Sequence, residues 1–388
     1  MSTKRSVYKK NSASNKLAVY LCARDIFDDL QTVDPIEGVV TLDRDLLRES
    51  KVFARIRCTF RYGEQALDDV LAGVSFFKEF FIETIQVYPV EKSNRFEPNE
   101  VQNRLMQRFG DAAFPFSFKL PHDIPVSIAL QSEQSSLPEE QPRGIEYMLQ
   151  VFVGNSPNSN VSKRNSIALG IRRLTLATPD PSNGPYTRDL VKVFHFHSGE
   201  LRIKAVLPKE IFYHGETIPI DVHVDNPSSN TVRRIKFQVV QTVEITLFKQ
   251  RTARIIITEQ ELEDGFPINA HTADWHQKFT LRPSLQNTRS QPGLALDGKL
   301  KHEDTTLASS TLVKDFRKKE ALGIIVQYSI RLKVVTGFGG RDVELDIPFT
   351  LTHKRTQQEV VRAETTSELV IEKFKRQKSK RREDSQDE

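Results

Sequence analysis

Two aspartates, Asp297 and Asp304, stand seven positions apart in the stretch of this sequence with the most chemical potential. Lys299 and Lys301 lie between them, and leucine and alanine flank the charges within GLALDGKLKHEDTTLASS (293–310). The apolar residues predict that this loop packs against the rest of the protein. Carboxylates on a packed loop need cationic partners, because unpaired buried charge is strongly disfavoured. The stretch therefore predicts arginine partners elsewhere, with an ordinary surface ion pair as the plainer alternative.

Basic residues form the second chemically distinctive set. They cluster where elements of the first half begin or end: Lys9 with Lys10, Arg108, Lys163 with Arg164, and Arg172 with Arg173. Taken singly, each is a solvated charge. If folding brings them together, they form a concave anion site suited to phosphate groups.

Residues that could support catalysis or bind a metal are sparse. His195 and His197 fall on one face of an expected strand, but no third ligand lies nearby in sequence, which favours a polar strand face. Cys22 and Cys58 lack the sequence contexts that activate a thiol. The sequence contains neither a phosphate-binding glycine loop nor a G-x-S-x-G elbow. We therefore expect a protein that is not an enzyme and that uses no metal or cofactor.

Composition sets the broad class. The chain has 388 residues, 38% of them hydrophobic and 28% charged, which is typical of a soluble protein with two domains. Its net charge of +5 does not argue for nucleic acid as a partner. Two cysteines exclude a disulfide scaffold and indicate a reducing compartment. Residues 1–16 lack an apolar core and no run reaches about 18 apolar residues, so we expect a cytoplasmic protein.

Most of the chain alternates apolar and polar side chains with a period of two. The pattern is clearest in 52–60, 235–239, 326–334 and 343–347, and it is that of half-buried strands. Turn-forming clusters separate these runs. The sequence therefore predicts an all-β protein built from antiparallel sandwiches.

One segment has a helical period instead. Val101, Leu105 and Phe109 recur at every fourth position, and Gly110 stands where a helix would end. A helix this short is not stable alone, so we expect it to lie on a sheet.

Two changes of composition divide the chain. Residues 175–188 are rich in Pro, Gly, Ser and Thr and indicate a linker, and the strand alternation ends near residue 352. We predict a first sandwich over 1–174, a hinge over 175–188, a second sandwich over 189–351 and a mobile tail over 352–388.

The sequence resembles the arrestin family from about residue 7 to residue 377. The blocks that carry the resemblance are VYKK (7–10), RDIFDD (24–29), VDPIEGVV (33–40), CTFRYG (58–63), SKRNS (162–166), IRR (171–173), IFYHGE (211–216), LALDGKLKHEDT (294–305) and VIEKFKRQ (370–377). The family's fold is two antiparallel sandwiches with one short helix on the first. Its members bind active, phosphorylated G-protein-coupled receptors, block G-protein coupling and end signalling, and the resemblance implies this role here.

The resemblance also supplies the missing arginines. It implies an interdomain polar core made of Asp25, Arg172, Asp297, Asp304 and Arg376. Removing one cation from such a site should cost about 3–5 kcal/mol. A receptor phosphate carries about −1.5 to −2 charge, so it can compete for that cation and release the core.

Two further sets follow from the resemblance. The implied phosphate-binding residues are Lys9, Lys10, Arg24, Arg108, Lys163, Arg164 and Lys301, with Ala168 where the family often has another arginine. The implied three-element latch joins the first strand, the helix and the tail through Val7, Tyr8, Val101, Leu105, Phe109, Leu369, Ile371 and Phe374. Full burial of a large apolar side chain contributes about 1.5–3 kcal/mol, so this latch would hold a detachable tail strand.

The family's receptor-binding and lipid-binding residues outside the polar core are matched less completely. The implied receptor finger loop contains Leu67, Asp68, Asp69, Val70 and Leu71 and is longer than the family pattern. Lys236 and Arg254 match two of three phosphoinositide-binding basic residues, and Val240 replaces the third.

The tail has no clathrin box, and its clathrin-adaptor motif would use Ile371, Phe374 and Lys378. A short tail of this kind resembles visual or invertebrate sensory members. The many lysines and arginines after residue 372 predict a weak latch, because they repel the phosphate-binding residues.

Two alternatives stay open at this point. One is an arrestin-fold trafficking adaptor that binds cargo without sensing phosphate. The other is a plain tandem-sandwich interaction module whose charges are only surface pairs.

Overall fold

The computed structural model describes residues 4–62, 76–91, 96–131, 143–178, 184–194, 198–246, 250–261, 264–285, 291–298, 305–313, 321–337, 342–354 and 368–373. Over these ranges the fold is all-β, with its sheets arranged in two domains and the amphipathic helix on the first, which confirms the predicted class. The exact boundaries of the two domains, the hinge and the tail stay predictions. None of the described helices is long and apolar enough to cross a membrane.

The described residues of the first half of the chain form ten strands and two helices. The strands are β1 (Lys4–Asn11), β2 (Leu17–Leu21), β3 (Asp25–Asp28), β4 (Ile36–Leu42), β5 (Lys51–Tyr62), β6 (Phe76–Tyr88), β7 (Ala113–Phe118), β8 (Ile128–Leu130), β9 (Arg143–Gly154) and β10 (Ser166–Thr175). The helices are the single turn α1 (Leu46–Glu49) and α2 (Glu100–Phe109), and short 3-10 turns cover Gly110–Ala112 and Lys163–Asn165.

In the second half, the ranges given above form eleven strands. They are β11 (Tyr186–Val193), β12 (Glu200–Leu207), β13 (Ile211–Tyr213), β14 (Ile218–Asn226), β15 (Val232–Thr246), β16 (Gln250–Glu261), β17 (Thr272–Leu281), β18 (Ala295–Asp297), β19 (Ile324–Thr336), β20 (Val343–Thr352) and β21 (Glu368–Lys373).

Four sheets contain these strands. The first sandwich has one sheet in the order β21-β1-β2-β4-β7 and another in the order β18-β8-β9-β10-β3, to which β5 and β6 attach through β9. The second sandwich has the orders β11-β12-β14-β17 and β13-β20-β19-β15-β16. Two edge strands of the first sandwich, β18 and β21, therefore come from the second half of the sequence.

Helix α2 shows why the helical period appears where it does. The Asn99 side chain accepts from the Gln102 amide at 2.8 Å, and the Gln102 side chain accepts from the Asn99 amide at 3.0 Å, which satisfies two free donors at the N-terminus. Val101 and Leu105 are buried against the first sheet. Gly110 ends the helix with φ +60°, a conformation in which glycine carries no steric cost.

The two halves meet through strand ends. Thr352 at the end of β20 donates its hydroxyl to the Thr175 carbonyl and accepts from the Ala177 amide, both at 3.0 Å. Leu176 and His353 form an isolated parallel bridge beside these bonds. The residues that follow β20 thus begin by contacting the end of β10, and this contact positions the site described next.

Candidate functional site

Arg172 and Asp25 form an ion pair at the centre of the candidate site. They lie in register on the parallel strands β10 and β3, so the backbone places the two side chains next to each other. The guanidinium donates from Nε and Nη2 to the two carboxylate oxygens, at 2.8 and 2.7 Å. The Arg172 side chain is 7% exposed and the Asp25 side chain 29% exposed. Breaking this bidentate pair would therefore remove two charge-assisted hydrogen bonds from a guanidinium that is mostly buried.

Gly298, the residue that directly follows β18, lies beside this pair. Strand β18 is added antiparallel to β8 of the first sandwich, with Asp297 opposite Ile128. A Cβ placed on Gly298 would lie 3.8 Å from Arg172 Cγ and 3.0 Å from Ser127 Cβ. The backbone at Gly298 therefore lies close to the Arg172 side chain.

The partners of Asp297 differ from the expected arginines. The carboxylate is 3% exposed and accepts hydrogen bonds from the Thr306 hydroxyl at 2.9 Å, the Ser309 amide at 3.1 Å and His353 Nε2. His214 Nε2 lies 3.8 Å away. Among the described residues none of its partners is an arginine, and imidazoles take that position.

Burial and the neighbouring side chains have opposite effects on the pKa of Asp297. Burial opposes ionisation of Asp297, but His353, His214 and the Thr306 hydroxyl together hold its pKa below the usual value. Burial lowers the pKa of His214 to about 4, more than the nearby Asp297 charge raises it. At neutral pH the carboxylate is therefore charged while His214 is neutral and bonds to the Ser309 hydroxyl at 3.1 Å.

The histidine cluster connects three separate parts of the chain. His214 directly follows β13, His353 directly follows β20, and Asp297 ends the strand that the second half adds to the first sandwich. It is therefore an interdomain contact beside the Arg172–Asp25 pair. Sequence reasoning missed both histidines, although His214 stands inside the IFYHGE block that carries the resemblance.

A second buried ion pair was also missed. Arg173 is 0% exposed and donates from Nη2 to Asp28 at 2.6 Å. Its Nη1 also donates to the Pro121 carbonyl at 2.9 Å and approaches the Tyr147 hydroxyl at 3.3 Å. Arg172 and Arg173 are neighbours on one strand, so they point to opposite faces and belong to different sites.

Part of the predicted anion site is gathered at one end of the first sandwich. Lys10 Nζ donates to the Ala168 carbonyl in β10. The Ser14 amide donates to the Arg164 carbonyl at 3.1 Å, which ties the β1–β2 turn to the 3-10 turn that holds Lys163. Lys10, Lys163 and Arg164 therefore lie in one neighbourhood.

Arg24, which directly precedes β3, joins that neighbourhood through its contact with Tyr8 of β1. Its guanidinium lies 4.3 Å from the centre of the Tyr8 ring. Tyr8 and Lys10 alternate with Lys9 along the strand, so they share one face of β1. Tyr8 packs against the main core on this face, although it was expected in the latch.

Lys9 and Arg108 lie on the other face of β1, beside helix α2. The Lys9 ammonium is 5.3 Å from the centre of the Tyr20 ring, and that ring packs against Phe109 at a centroid distance of 4.7 Å. The Arg108 guanidinium is 5.8 Å from the Phe109 ring. The described members of the predicted phosphate-binding set are thus divided between the two faces of β1.

The predicted latch is assembled around β1. Strand β21 pairs parallel with β1, with Ile371 opposite Val7, and Ser6 donates to Glu372 at 2.7 Å. The side chains that pack in one cluster are Val7, Val101, Leu105, Phe109, Leu369 and Ile371. Leu369 and Ile371 are half-buried, so each contributes less than full burial would.

The two basic residues expected to bind phosphoinositide do not converge. Lys236 pairs with Glu259 at 3.4 Å and with Glu261 at 3.1 Å. Arg254 is in register with Thr242, six residues along β15 from Lys236 and so roughly 20 Å away. A single headgroup cannot bridge the two cations in this arrangement.

Several predicted site residues lie outside the described part of the chain. They are Asp304 and Arg376 of the polar core, Lys301, Phe374, Lys378, and the finger-loop residues Leu67, Asp68, Asp69, Val70 and Leu71. His195 and His197 also lie outside it.

Comparisons with known proteins agree with the class that the fold and site define, a tandem β-sandwich protein with a buried ion pair in its first sandwich and a buried aspartate–histidine cluster between its domains. The family model described as arrestin (or S-antigen), N-terminal domain, matches residues 19–176, and the corresponding C-terminal domain model matches residues 197–356. Arrestin red cell isoform 2 of Oncorhynchus mykiss is 39% identical over 351 residues, covering 90% of this chain and 84% of that protein. Beta-arrestin-2 of Homo sapiens is 38% identical over 356 residues, covering 91% and 84%.

The chain belongs to the arrestin family. The expected family is thereby confirmed, and the relatives support the general role of a receptor-binding arrestin.

Proposed function

We propose that this protein binds active, phosphorylated G-protein-coupled receptors, among which rhodopsin or another sensory receptor fits best, blocks their coupling to G proteins and ends signalling. Receptor phosphate is the trigger in this proposal. The observation that carries it is the buried Arg172–Asp25 pair, together with strand β1, which carries Lys9 and Lys10 and is covered along one edge by β21. These features together suit a lock that added negative charge opens.

The trigger follows from the energetics of buried charge. Asp25 compensates the charge that Arg172 holds out of water, and losing one partner of such a pair costs about 3–5 kcal/mol. A phosphate group carries about −1.5 to −2 charge at neutral pH and forms charge-assisted hydrogen bonds with guanidinium. It can therefore replace Asp25, whereas an unmodified serine cannot.

The position of β21 explains why the tail must leave. Strand β1 has two edges, of which β2 occupies one and β21 the other. A receptor segment that pairs with β1 beside its basic residues needs the edge that β21 covers. Binding of the segment and docking of β21 are then mutually exclusive, so phosphate binding is coupled to tail release.

The test compares two forms of one receptor. We would measure equilibrium binding of the full chain to light-activated rhodopsin in nanodiscs, either phosphorylated or unphosphorylated. We expect binding to the phosphorylated form to be stronger by about tenfold or more, the size of a typical coupling between sites. Equal binding to both forms would favour an arrestin-fold trafficking adaptor without phosphate sensing, and binding to neither would contradict the proposal.

Contacts with a clathrin adaptor and with phosphoinositide are proposed as secondary. The adaptor contact depends on Ile371, which packs in the latch, so we expect it to form only after β21 has left. The phosphoinositide contact would use Lys236 and Arg254 as separate points on a membrane surface, because the two cations lie too far apart for one headgroup.

A further inference from the structure

The outer face of the second sandwich carries a pair of stacked histidines. In the sheet β11-β12-β14-β17, His223 of β14 stands directly opposite His276 of β17. The two rings lie 4.3 Å apart between centroids and are inclined by 17°. Both side chains are exposed, since the alternate residues Val222 and Val224 of the same strand point into the core.

A carboxylate completes the group on the same face. Asp221 precedes His223 by two residues, so the two side chains point the same way. Its Oδ1 accepts a hydrogen bond from His276 Nε2 and lies 3.7 Å from His223 Nε2. Both imidazole nitrogens thus converge on one carboxylate oxygen, and the three ligating atoms lie within 4.8 Å of one another.

Two imidazole nitrogens and one carboxylate oxygen are the ligand set that Zn²⁺ uses in three-ligand sites, where water completes the tetrahedron. The ligands stand on two hydrogen-bonded strands with buried neighbours, so the backbone holds their spacing. We propose that Asp221, His223 and His276 bind a divalent transition-metal ion, represented by Zn²⁺, on the outer face of the second sandwich. The ion would take the point where the two Nε2 atoms converge, and the carboxylate would turn to bind it through one oxygen.

Nearby lysines limit the affinity of this site. Lys278 Nζ lies 4.0 Å from the second carboxylate oxygen of Asp221. Lys204 stands opposite His223 on β12 and is exposed on the same face. Both repel a bound cation, and Lys278 competes with it for Asp221.

The test uses the full chain with any histidine tag removed and Zn²⁺ alone as the ligand. Competition against a chromophoric chelator measures the affinity of the wild-type chain and of His223→Ala, His276→Ala and Asp221→Asn. We expect each substitution to weaken binding by about tenfold or more, since even outer-shell partners of a metal are worth 10–100-fold. His122→Ala, which removes an exposed histidine from the first sandwich, should change nothing.

A variant that is expected to strengthen Zn²⁺ binding makes the test stricter. Lys278→Ala should strengthen Zn²⁺ binding, because it removes a competitor of the ion for Asp221. Thermal unfolding without metal shows whether each variant is folded. If one of the histidine variants does not fold, the comparison uses Asp221→Asn in its place. The proposal is overturned if the wild-type chain binds no Zn²⁺, or if folded His223→Ala and His276→Ala bind it as tightly as His122→Ala. It uses no step of the receptor mechanism, so either proposal can fail alone.

Discussion

Reversing the charge of Arg172 is the most informative perturbation of the site. Arg172→Glu turns the attraction to Asp25 into repulsion at a position where the arginine side chain is 7% exposed. Removing one partner of a buried pair costs about 3–5 kcal/mol, and the lower end applies here because Asp25 keeps partial contact with water. About 3 kcal/mol corresponds to roughly a 100-fold shift in the balance between locked and released states.

The gain in binding will be smaller than the shift itself. Apparent affinity rises only until the whole population is competent to bind, so the starting competent fraction sets the ceiling. We therefore expect Arg172→Glu to bind light-activated, unphosphorylated rhodopsin about tenfold or more tightly than the wild-type chain does. Equilibrium binding to receptor in nanodiscs measures this directly.

A matched control separates the ion pair from the charge change. Arg202→Glu makes the same substitution at a side chain that is 60% exposed in the second sandwich, and we expect it to leave receptor binding unchanged. The double variant Asp25→Arg with Arg172→Asp should restore part of the dependence on phosphate, because it rebuilds the pair in reverse. A folded Arg172→Glu variant that still requires phosphorylated receptor would refute the reasoning.

Three further predictions concern the surroundings of this pair. Lys9→Ala with Lys10→Ala should weaken binding to phosphorylated receptor and flatten its salt dependence, and a salt titration that matches the wild type would return both lysines to the role of solvated charges. Deleting residues 367–388 should raise binding to unphosphorylated receptor less than Arg172→Glu does, because Leu369 and Ile371 are only half-buried; a larger gain in the same binding assay would show a tight latch. Burial lowers the pKa of His214 from 6.5 to about 4, so the unfolded chain takes up a proton first and stability is lost as the pH falls through that range. His214→Asn should therefore show a shallower fall in melting temperature between pH 6.5 and about 4, and an unchanged slope would contradict the assigned pKa.

Local patterns in the sequence were sufficient for the fold. The alternation with a period of two over 52–60 lies within strand β5. The spacing of four between Val101, Leu105 and Phe109 lies within helix α2, which ends at the predicted glycine. These features depend on neighbours in sequence, so the residues themselves record them. Local patterns do not predict that β18 and β21 join the sheets of the first sandwich, because this depends on pairing between segments that are distant in sequence.

Pairing across the chain also limits what the sequence indicates about the site. Arg172 and Asp25 are 147 residues apart, and only the resemblance to a known family predicted that they lie in one site. The alternation of side chains along β1 and β10 then separated residues that are adjacent in sequence, Lys9 from Lys10 and Arg172 from Arg173. The contact of Asp297 with His353 requires both β18 and β20 to be in place, so neither residue alone predicts it.

Release of β21 by phosphate is the central claim, and amide hydrogen exchange of residues 368–373 tests it most directly. β21 pairs with β1 along one edge only, so the alternate amides that face β1 should exchange slowly in the resting protein. We predict that a synthetic receptor-tail peptide with several phosphoserines speeds their exchange, that the unphosphorylated peptide does not, and that Arg172→Glu exchanges fast without either peptide. Unchanged protection of residues 368–373 while the phosphorylated peptide is bound would contradict the account.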